Sequence, residues 1–245
     1  MLTNYERRLI AAEYSDPAAR QNAEHRVEAG EPLGYILGHW PFWRSEFIIN
    51  TDCLIPRPDT EILVEAAIAA LPHGGSFADL CTGSGCIGLS VLQDCPGSSA
   101  ILCDIAPGAL AAASENAEKL HLSDRAQIVG ADLLCENPLG AGRYDLILSN
   151  PPYIPTSVIA DYPDLAPEPA LALDGGADGL IFYRRFIRDF AENLKDNGAF
   201  LFEIGYDQGD ALSTLAADAG FICQIRKDYG GNDRVAILRK SKEAL

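Results

Sequence analysis

From residue 76 onward the sequence alternates short apolar runs with amphipathic stretches of about a dozen residues, and few folds accept that rhythm. "SFADLC" predicts a strand, "CIGLSVLQD" a helix, "SAILCDI" a strand and "PGALAAASENAEKL" a helix. Pro107 stands near the start of that last helix, where a missing N–H costs nothing. "AQIVGAD" and "YDLILSN" predict strands, "GLIFYRRFIRDFAENL" a helix, "GAFLFEIG" a strand and "QGDALSTLAADAG" a helix. Strands separated by helices pair in parallel, and a parallel sheet is covered on both faces. The last two strands, "FICQIRK" and "RVAILRK", are joined only by "DYGGND", a turn short enough to connect antiparallel neighbours alone. The expected fold is α/β: a mainly parallel sheet with one antiparallel strand near its end.

Upstream the pattern differs. Residues 1–30 are rich in Ala, Glu and Arg and predict one or two polar helices punctuated by Pro17. "FWRSEFIIN", 42–50, places aromatic and β-branched residues around a charged turn and predicts a small hairpin. "IPRPDTEILVEAAIAAL" predicts a helix with Asp59 as N-cap and Glu61 in its first turn. Leu63, Ala66, Ala67, Ala70 and Leu71 share one face of it. The chain divides accordingly into a short helical segment (1–30), a linker with a hairpin (31–58) and the α/β domain (59–245).

Charge and cysteine usage narrow the function. Thirty-five acidic against 19 basic residues give a formal net charge of −16. Sequence-independent nucleic-acid binding is mostly phosphate neutralisation, so direct nucleic-acid binding is not expected. The same charge serves solubility, or steers a basic protein partner. The seven cysteines form no C-x-x-C pair and the four histidines are scattered, so zinc spacing is absent and no metal site is expected. Free thiols suit a reducing cytoplasm. The first 16 residues carry charges inside their only apolar stretch and do not read as a signal peptide; no run of 18 apolar residues offers a membrane span.

"DLCTGSGCIG" carries Gly83, Gly85 and Gly88 between a strand and a helix, and Asp104 ends the next strand about 20 residues on. Such glycines let backbone approach a ligand, and such an acid takes ribose hydroxyls. Nicotinamide dinucleotides and S-adenosylmethionine are both held by this design. Three features favour S-adenosylmethionine. Asp79 precedes the glycines in the loop's own strand, where it would repel a pyrophosphate and tolerate an ammonium or sulfonium. Asp132 ends the third strand in "GADLL", where an adenine amino group can be read. The antiparallel final strand is unusual for a nicotinamide domain. Ligands of open α/β sheets gather at the carboxyl ends of the strands, where these acids stand.

"SNPPYIP", Ser149 to Pro155, ends the next core strand with an amide, two prolines and an aromatic ring. Proline has no N–H and a fixed φ, so the strand cannot continue. Asn150 lies on the same sheet edge as the glycine loop. A planar NH2 has a delocalised lone pair and attacks a methyl group poorly. Two acceptors for its N–H bonds would orient it and raise its electron density. Asn150 Oδ1 and the Pro151 carbonyl are the candidates, with Tyr153 packing on the planar group.

These stretches, with "YILGHWPFWRSEFIIN", "IPRPDTE", "EPALALDGGADGL" and "DYGGNDRVAILR", resemble the HemK/PrmC family, the release factor glutamine N5-methyltransferases, in the same order from about Glu31 to Arg239. N-P-P-Y alone is shared with adenine-N6 methyltransferases, so the runner-up activities are adenine-N6 methylation and silent S-adenosylmethionine binding. The resemblance implies the class I methyltransferase (Rossmann-like) fold. It implies methyl transfer from S-adenosylmethionine to the glutamine of the Gly-Gly-Gln loop of peptide chain release factors. Asp79 and the loop Cys81, Thr82, Gly83, Ser84 and Gly85 then border the cofactor, with Asp104 on the ribose, Asp132 and Leu133 near the adenine, and Asn150 beside them. Asn150, Pro151, Pro152 and Tyr153 hold the glutamine amide. The family usually has glycine where this chain has Cys81, and a full helical domain where this chain has 1–30, which reads as a truncated substrate-recognition region. Arg57 is expected at the cofactor, at the peptide backbone or in a salt bridge, Gly175, Gly176 and Gly179 in a turn before a helix, with shaping of the substrate mouth as the alternative, and Trp40 and Trp43 in hairpin packing.

Overall fold

The N-terminal segment folds as two capped helices, in a computed structural model that describes residues 2–161 and 167–241. α1 (Asn4–Glu13) starts with a reciprocal cap: Thr3 Oγ1 accepts from Glu6 N–H and Glu6 Oε2 accepts from Thr3 N–H. α2 (Pro17–Glu28) has proline at its first position and Asp16 accepting from Ala19 N–H. A further short helix, α3 (Leu33–Leu37), stops at Gly38 with φ 75°. Together these helices bury Ile10, Ala23, Leu33 and Ile36 in a small core of their own. The hairpin follows as β1 (His39–Phe42) and β2 (Ser45–Ile48), turning at Trp43 and Arg44.

Asp59 does not cap the next helix. The fixed φ of Pro58 starts a 3-10 turn, Pro58–Thr60, that runs straight into α4 (Glu61–Ala70). A cap needs extended backbone, which here belongs to Arg57. Asp59 Oδ2 instead accepts from Arg234 at 3.3 Å. α4 buries Ile62 and Val64 as well as Leu63, Ala66 and Ala67, because the hairpin's Phe42 and Phe47 join the core that covers it.

The remaining strands are β3 (Ser76–Leu80), β4 (Ser99–Asp104), β5 (Ala126–Gly130), β6 (Tyr144–Ser149), β7 (Leu194–Glu203), β8 (Phe221–Lys227) and β9 (Asp233–Lys240). They form one sheet in the order β5-β4-β3-β6-β7-β9-β8. All neighbours run parallel except β9, which is antiparallel to both β7 and β8. The single reversed strand is the one demanded by the short "DYGGND" turn. The helices are α5 (Cys86–Asp94), α6 (Pro107–Lys119), α7 (Ile181–Asp189) and α8 (Gly209–Asp218). α7 ends earlier than its periodicity suggests, at Phe190, and β7 begins at Leu194, which pairs with Tyr144 beyond a register shift in β6.

Each face of the sheet carries its own core. α4 and α5 pack with Leu146, Leu148 and Leu201 on one side. On the other, Phe200 and Phe202 leave β7 two residues apart and so on the same face. They lie 5.2 Å apart and meet Tyr183, Phe186 and Phe221 at ring-centroid distances of 5.6 to 6.0 Å. Burying each such ring stabilises by roughly 1.5–3 kcal/mol. This double cover fixes the sheet, and with it the loops at its carboxyl edge.

Candidate active site

The chain leaves β3 towards β4 on one side and β6 towards β7 on the other, so β3 and β6 flank the switch in strand order. Leu80 and Ser149, their last paired residues, lie in register. Ser149 Oγ donates to Leu80 O at 2.6 Å and ties the two strand ends together. The glycine loop and Asn150 therefore begin side by side, although 69 residues separate Leu80 from Ser149.

Cys81 turns the chain off β3 with φ 58°, in the left-handed region that disfavours a Cβ. The backbone thus takes the conformation that a glycine would take there, with a cysteine in it. Gly83 has φ 56° and empty space where a Cβ would project, so its backbone faces an open cavity. Gly88 sits at the opposite extreme: a Cβ would lie 2.9 Å from Asp79 Oδ2. Asp104 fixes the loop, accepting from Gly83 N–H at 2.8 Å on Oδ2 and from Ala106 N–H at 3.0 Å on Oδ1. Burial pushes its carboxyl above the ordinary range while these backbone donors pull it back. Each oxygen keeps a lone pair for a ligand. Asp132 is braced by Leu134 N–H at 3.0 Å.

A cavity of about 250 Å³ opens among these residues. Cys81, Gly83, Asp104, Asp132, Leu133, Asn150 and Pro152 all line it, drawn from four strand ends. Thr82 and Ser84 face an adjoining cleft, shared with Cys81, Gly83 and Asn150. Gly85 caps α5 with φ 80°. Pro151 is buried in the loop, and Tyr153 lines a separate cavity and not the one that Asn150 and Pro152 border.

Asp79 lies beneath the loop, with no surface exposed. Its Oδ2 accepts from Thr82 Oγ1 at 2.6 Å and from Gly88 N–H at 3.0 Å, holding the loop onto the start of α5. Burial pushes its carboxyl up to about 7. Its Oδ1 has no hydrogen-bond partner in the protein. Asp79 lines neither the cavity nor the adjoining cleft, so it braces the glycine loop from below.

Other residues came into the site without a motif. Leu54, Ile105, Leu134, Leu171 and Phe182 supply its apolar walls. Leu171 lies in "EPALALDGGADGL", but Phe182 carried no sequence signal. Thr60 Oγ1 lies 3.5 Å from Asn150 Nδ2. That contact turns the Asn150 amide so that Oδ1 is left free as an acceptor. Burial pushes the nearby Glu203 carboxyl up to about 7. Arg57 pairs with the buried Glu168, whose Oε2 also accepts from Ile55 N–H at 3.0 Å, so the pair straps the linker to the segment before Leu171, and Arg57 also lines the adjoining cleft. Trp43 packs in the hairpin and donates from Nε1 to Asp94 at 2.8 Å. Among the described residues no three His, Cys, Asp or Glu side chains gather as metal ligands.

Comparison with known proteins sharpens the reading. A methyltransferase small domain model matches residues 58–161. The release factor glutamine methyltransferase of Moorella thermoacetica is 41% identical over 223 residues, 89% of this chain and 78% of its own length. That of Agrobacterium fabrum is 40% identical over 239 residues, 92% of this chain and 80% of its own. Among solved structures, the ribosomal protein L11 methylase from Lactobacillus delbrueckii subsp. bulgaricus shares the fold with a TM-score of 0.54 at 23% identity, over 82% of this chain and 90% of that one.

Proposed function

We propose, since the chain belongs to the release factor glutamine methyltransferase family, that the cavity between β3 and β6 brings S-adenosylmethionine and a release factor's glutamine together. The enzyme is an S-adenosylmethionine-dependent protein-glutamine N5-methyltransferase acting on release factors. When bound, the cofactor supplies an electrophilic methyl group on a sulfonium. In our reading Asp104 accepts from the ribose hydroxyls with the lone pairs its backbone partners leave free. Asp132 and Leu133 hold the adenine, with the Cys81–Gly85 loop along the remainder. Asp79 sits under that loop and braces it through its bonds to Thr82 and Gly88.

Asn150 Oδ1 and the Pro151 carbonyl accept the two N–H bonds of the substrate amide. Two acceptors hold the nitrogen in one orientation and raise its electron density. The prolines keep the carbonyl's direction without offering a competing donor. No general base is needed for attack by an oriented nitrogen, and orientation of this kind lowers barriers by roughly 7–11 kcal/mol. The observation that carries the reading is the Leu80–Ser149 register, which sets the glycine loop and Asn150 on one cavity.

The chain's charge of −16 disfavours a grip on nucleic-acid phosphate, and no helix among the described residues is long and apolar enough to cross a membrane. The thiols, unpaired among the described residues, suit work in the cytoplasm. Incubation with labelled S-adenosylmethionine and a release factor, followed by peptide mass mapping, tests the proposal. Label is expected on the glutamine of the Gly-Gly-Gln loop; label elsewhere on the protein, or on added RNA or DNA alone, overturns it.

A further inference from the structure

The loop Asn150–Ile154 is held from behind by one side chain that neither the family comparison nor the proposed chemistry includes. Gln208 follows β7 and is 8% exposed. Its Nε2 donates to Tyr153 O at 3.1 Å and to Gly179 O at 3.2 Å, and its Oε1 accepts from Gly205 N–H at 2.9 Å. Both N–H groups and the oxygen of the amide are thus engaged, across sequence separations of 55 and 29 residues for the two donor bonds. The turn it grips is pressed against the same loop. A Cβ on Gly179 would lie 2.3 Å from Tyr153 O, and one on Gly175 would lie 2.7 Å from Tyr153 Cα. Beyond Tyr153, Ile154 N–H donates to Leu173 O at 3.0 Å and Gly175 N–H returns a bond to Ile154 O at 2.8 Å.

The loop's remaining freedom can be followed residue by residue. Pro151 and Pro152 have fixed φ, and Pro151 is further restricted because a proline follows it. What remains is rotation at Pro152 and Tyr153. A bond to the Tyr153 carbonyl fixes the peptide plane there and closes the last hinge between the clamp and the body of the domain. A solvent-facing cavity of about 450 Å³ borders Tyr153 and Gln208 on the outer side, where water would otherwise compete for that carbonyl.

We propose that Gln208 is a positioning residue: its side-chain amide, by joining the Tyr153 and Gly179 carbonyls, holds the Asn150–Tyr153 loop in the geometry that methyl transfer requires. This rests on the reading of that loop as the amide clamp. The test uses the full chain with a release factor as substrate. Gln208→Met keeps the volume and removes the polar atoms. Gln208→Glu keeps an acceptor for Gly205 N–H but turns a second oxygen on two carbonyls. For Gln208→Met, kcat is expected to fall about tenfold or more, the scale of a small misplacement of reacting groups. Its affinity for S-adenosylhomocysteine should stay close to wild type and the variant should remain folded, with a melting temperature lower by several degrees because the Gly205 N–H and two carbonyls lose their partner, while amide exchange at Ile154 and Gly175 accelerates. Gln208→Glu is expected to be poorer at neutral pH and to recover as pH falls, because only a protonated carboxyl can donate to a carbonyl. Asp161, Asp178 and Asp207 line the same cavity and Asp233 stands beside Gly209, all favouring that proton; the cations Arg184 and Lys227 are paired with Asp178 and Asp233. If wild type itself transfers no methyl group to glutamine, the assignment of activity fails instead. If wild type transfers and Gln208→Met keeps its kcat, the positioning role is overturned. It is equally overturned if cofactor affinity or the fold is lost along with kcat, or if Gln208→Glu shows no recovery at low pH.

Discussion

Asn150→Ala removes the only side-chain acceptor of the clamp and little else. Among the described residues the Asn150 side chain makes one hydrogen bond, the long 3.5 Å approach of Nδ2 to Thr60 Oγ1. A bond of that length is worth less than the roughly 0.5–1.5 kcal/mol of an ordinary one, so the fold loses well under 1 kcal/mol. Cofactor affinity should change little, because Asn150 is one wall among the many that line the cavity. Transfer is a different matter. Removing one preorganised polar group from an active site costs about 10² to 10³ in kcat, or about 2.7–4 kcal/mol. Asn150→Asp keeps an acceptor and loses only the donor to Thr60, so its rate should stay within about tenfold of wild type. The decisive measurement is the single-turnover rate at saturating cofactor and release factor, with S-adenosylhomocysteine titration and urea unfolding alongside. The expected order is wild type, then Asp, then Ala. An alanine variant as fast as wild type would show that the loop is only a proline-rich strand exit. Equal losses in Ala and Asp would show that the amide's donor, not its acceptor, matters.

Asp104→Ala removes acceptors worth roughly 1.5–3 kcal/mol each, so the Kd for S-adenosylhomocysteine should rise at least about tenfold in calorimetry; an unchanged Kd would reduce Asp104 to a brace for Gly83 and Ala106. Asp79 and Glu203 are both raised to about 7 in the folded state, so between pH 4 and 7 the native chain holds more protons than the unfolded one and stability falls as pH rises. The Asp79 share amounts to at most about 4 kcal/mol, and Asp79→Asn should flatten the decline of the urea midpoint from pH 5 to 8; an unaltered slope contradicts it. Cys81 sits at φ 58°, so Cys81→Gly should be more stable than Cys81→Ala by about 1 kcal/mol in denaturant unfolding, and the reverse order would remove backbone strain as the explanation.

The parts of this molecule legible from sequence are those that local chemistry dictates. "DYGGND" is too short to hold a crossover helix, so β9 had to run against β8, and it does. The N-P-P-Y stretch had to end β6, because proline cannot remain in a central strand. Direction and distance are what the sequence could not supply. Asp79 stands between Ala78 and Leu80 in a strand buried on both faces, so alternation does not say whether its carboxylate points towards a ligand or beneath the loop. Its two bonds to Thr82 and Gly88 settle that it points beneath. Asp59 looked like a cap because polarity and position agreed, but Pro58 had already begun the turn. The contacts of Thr60 and Gln208 are hidden for a related reason: although Thr60 lies in "IPRPDTE", a hydroxyl or an amide does not say what it touches, and their partners stand 90 and 55 residues away. Residues that touch a ligand cluster at strand ends, where sequence can point to them. Those that hold such residues still are scattered by the topology, and only the folded domain brings Thr60 to Asn150 and Gln208 to Tyr153.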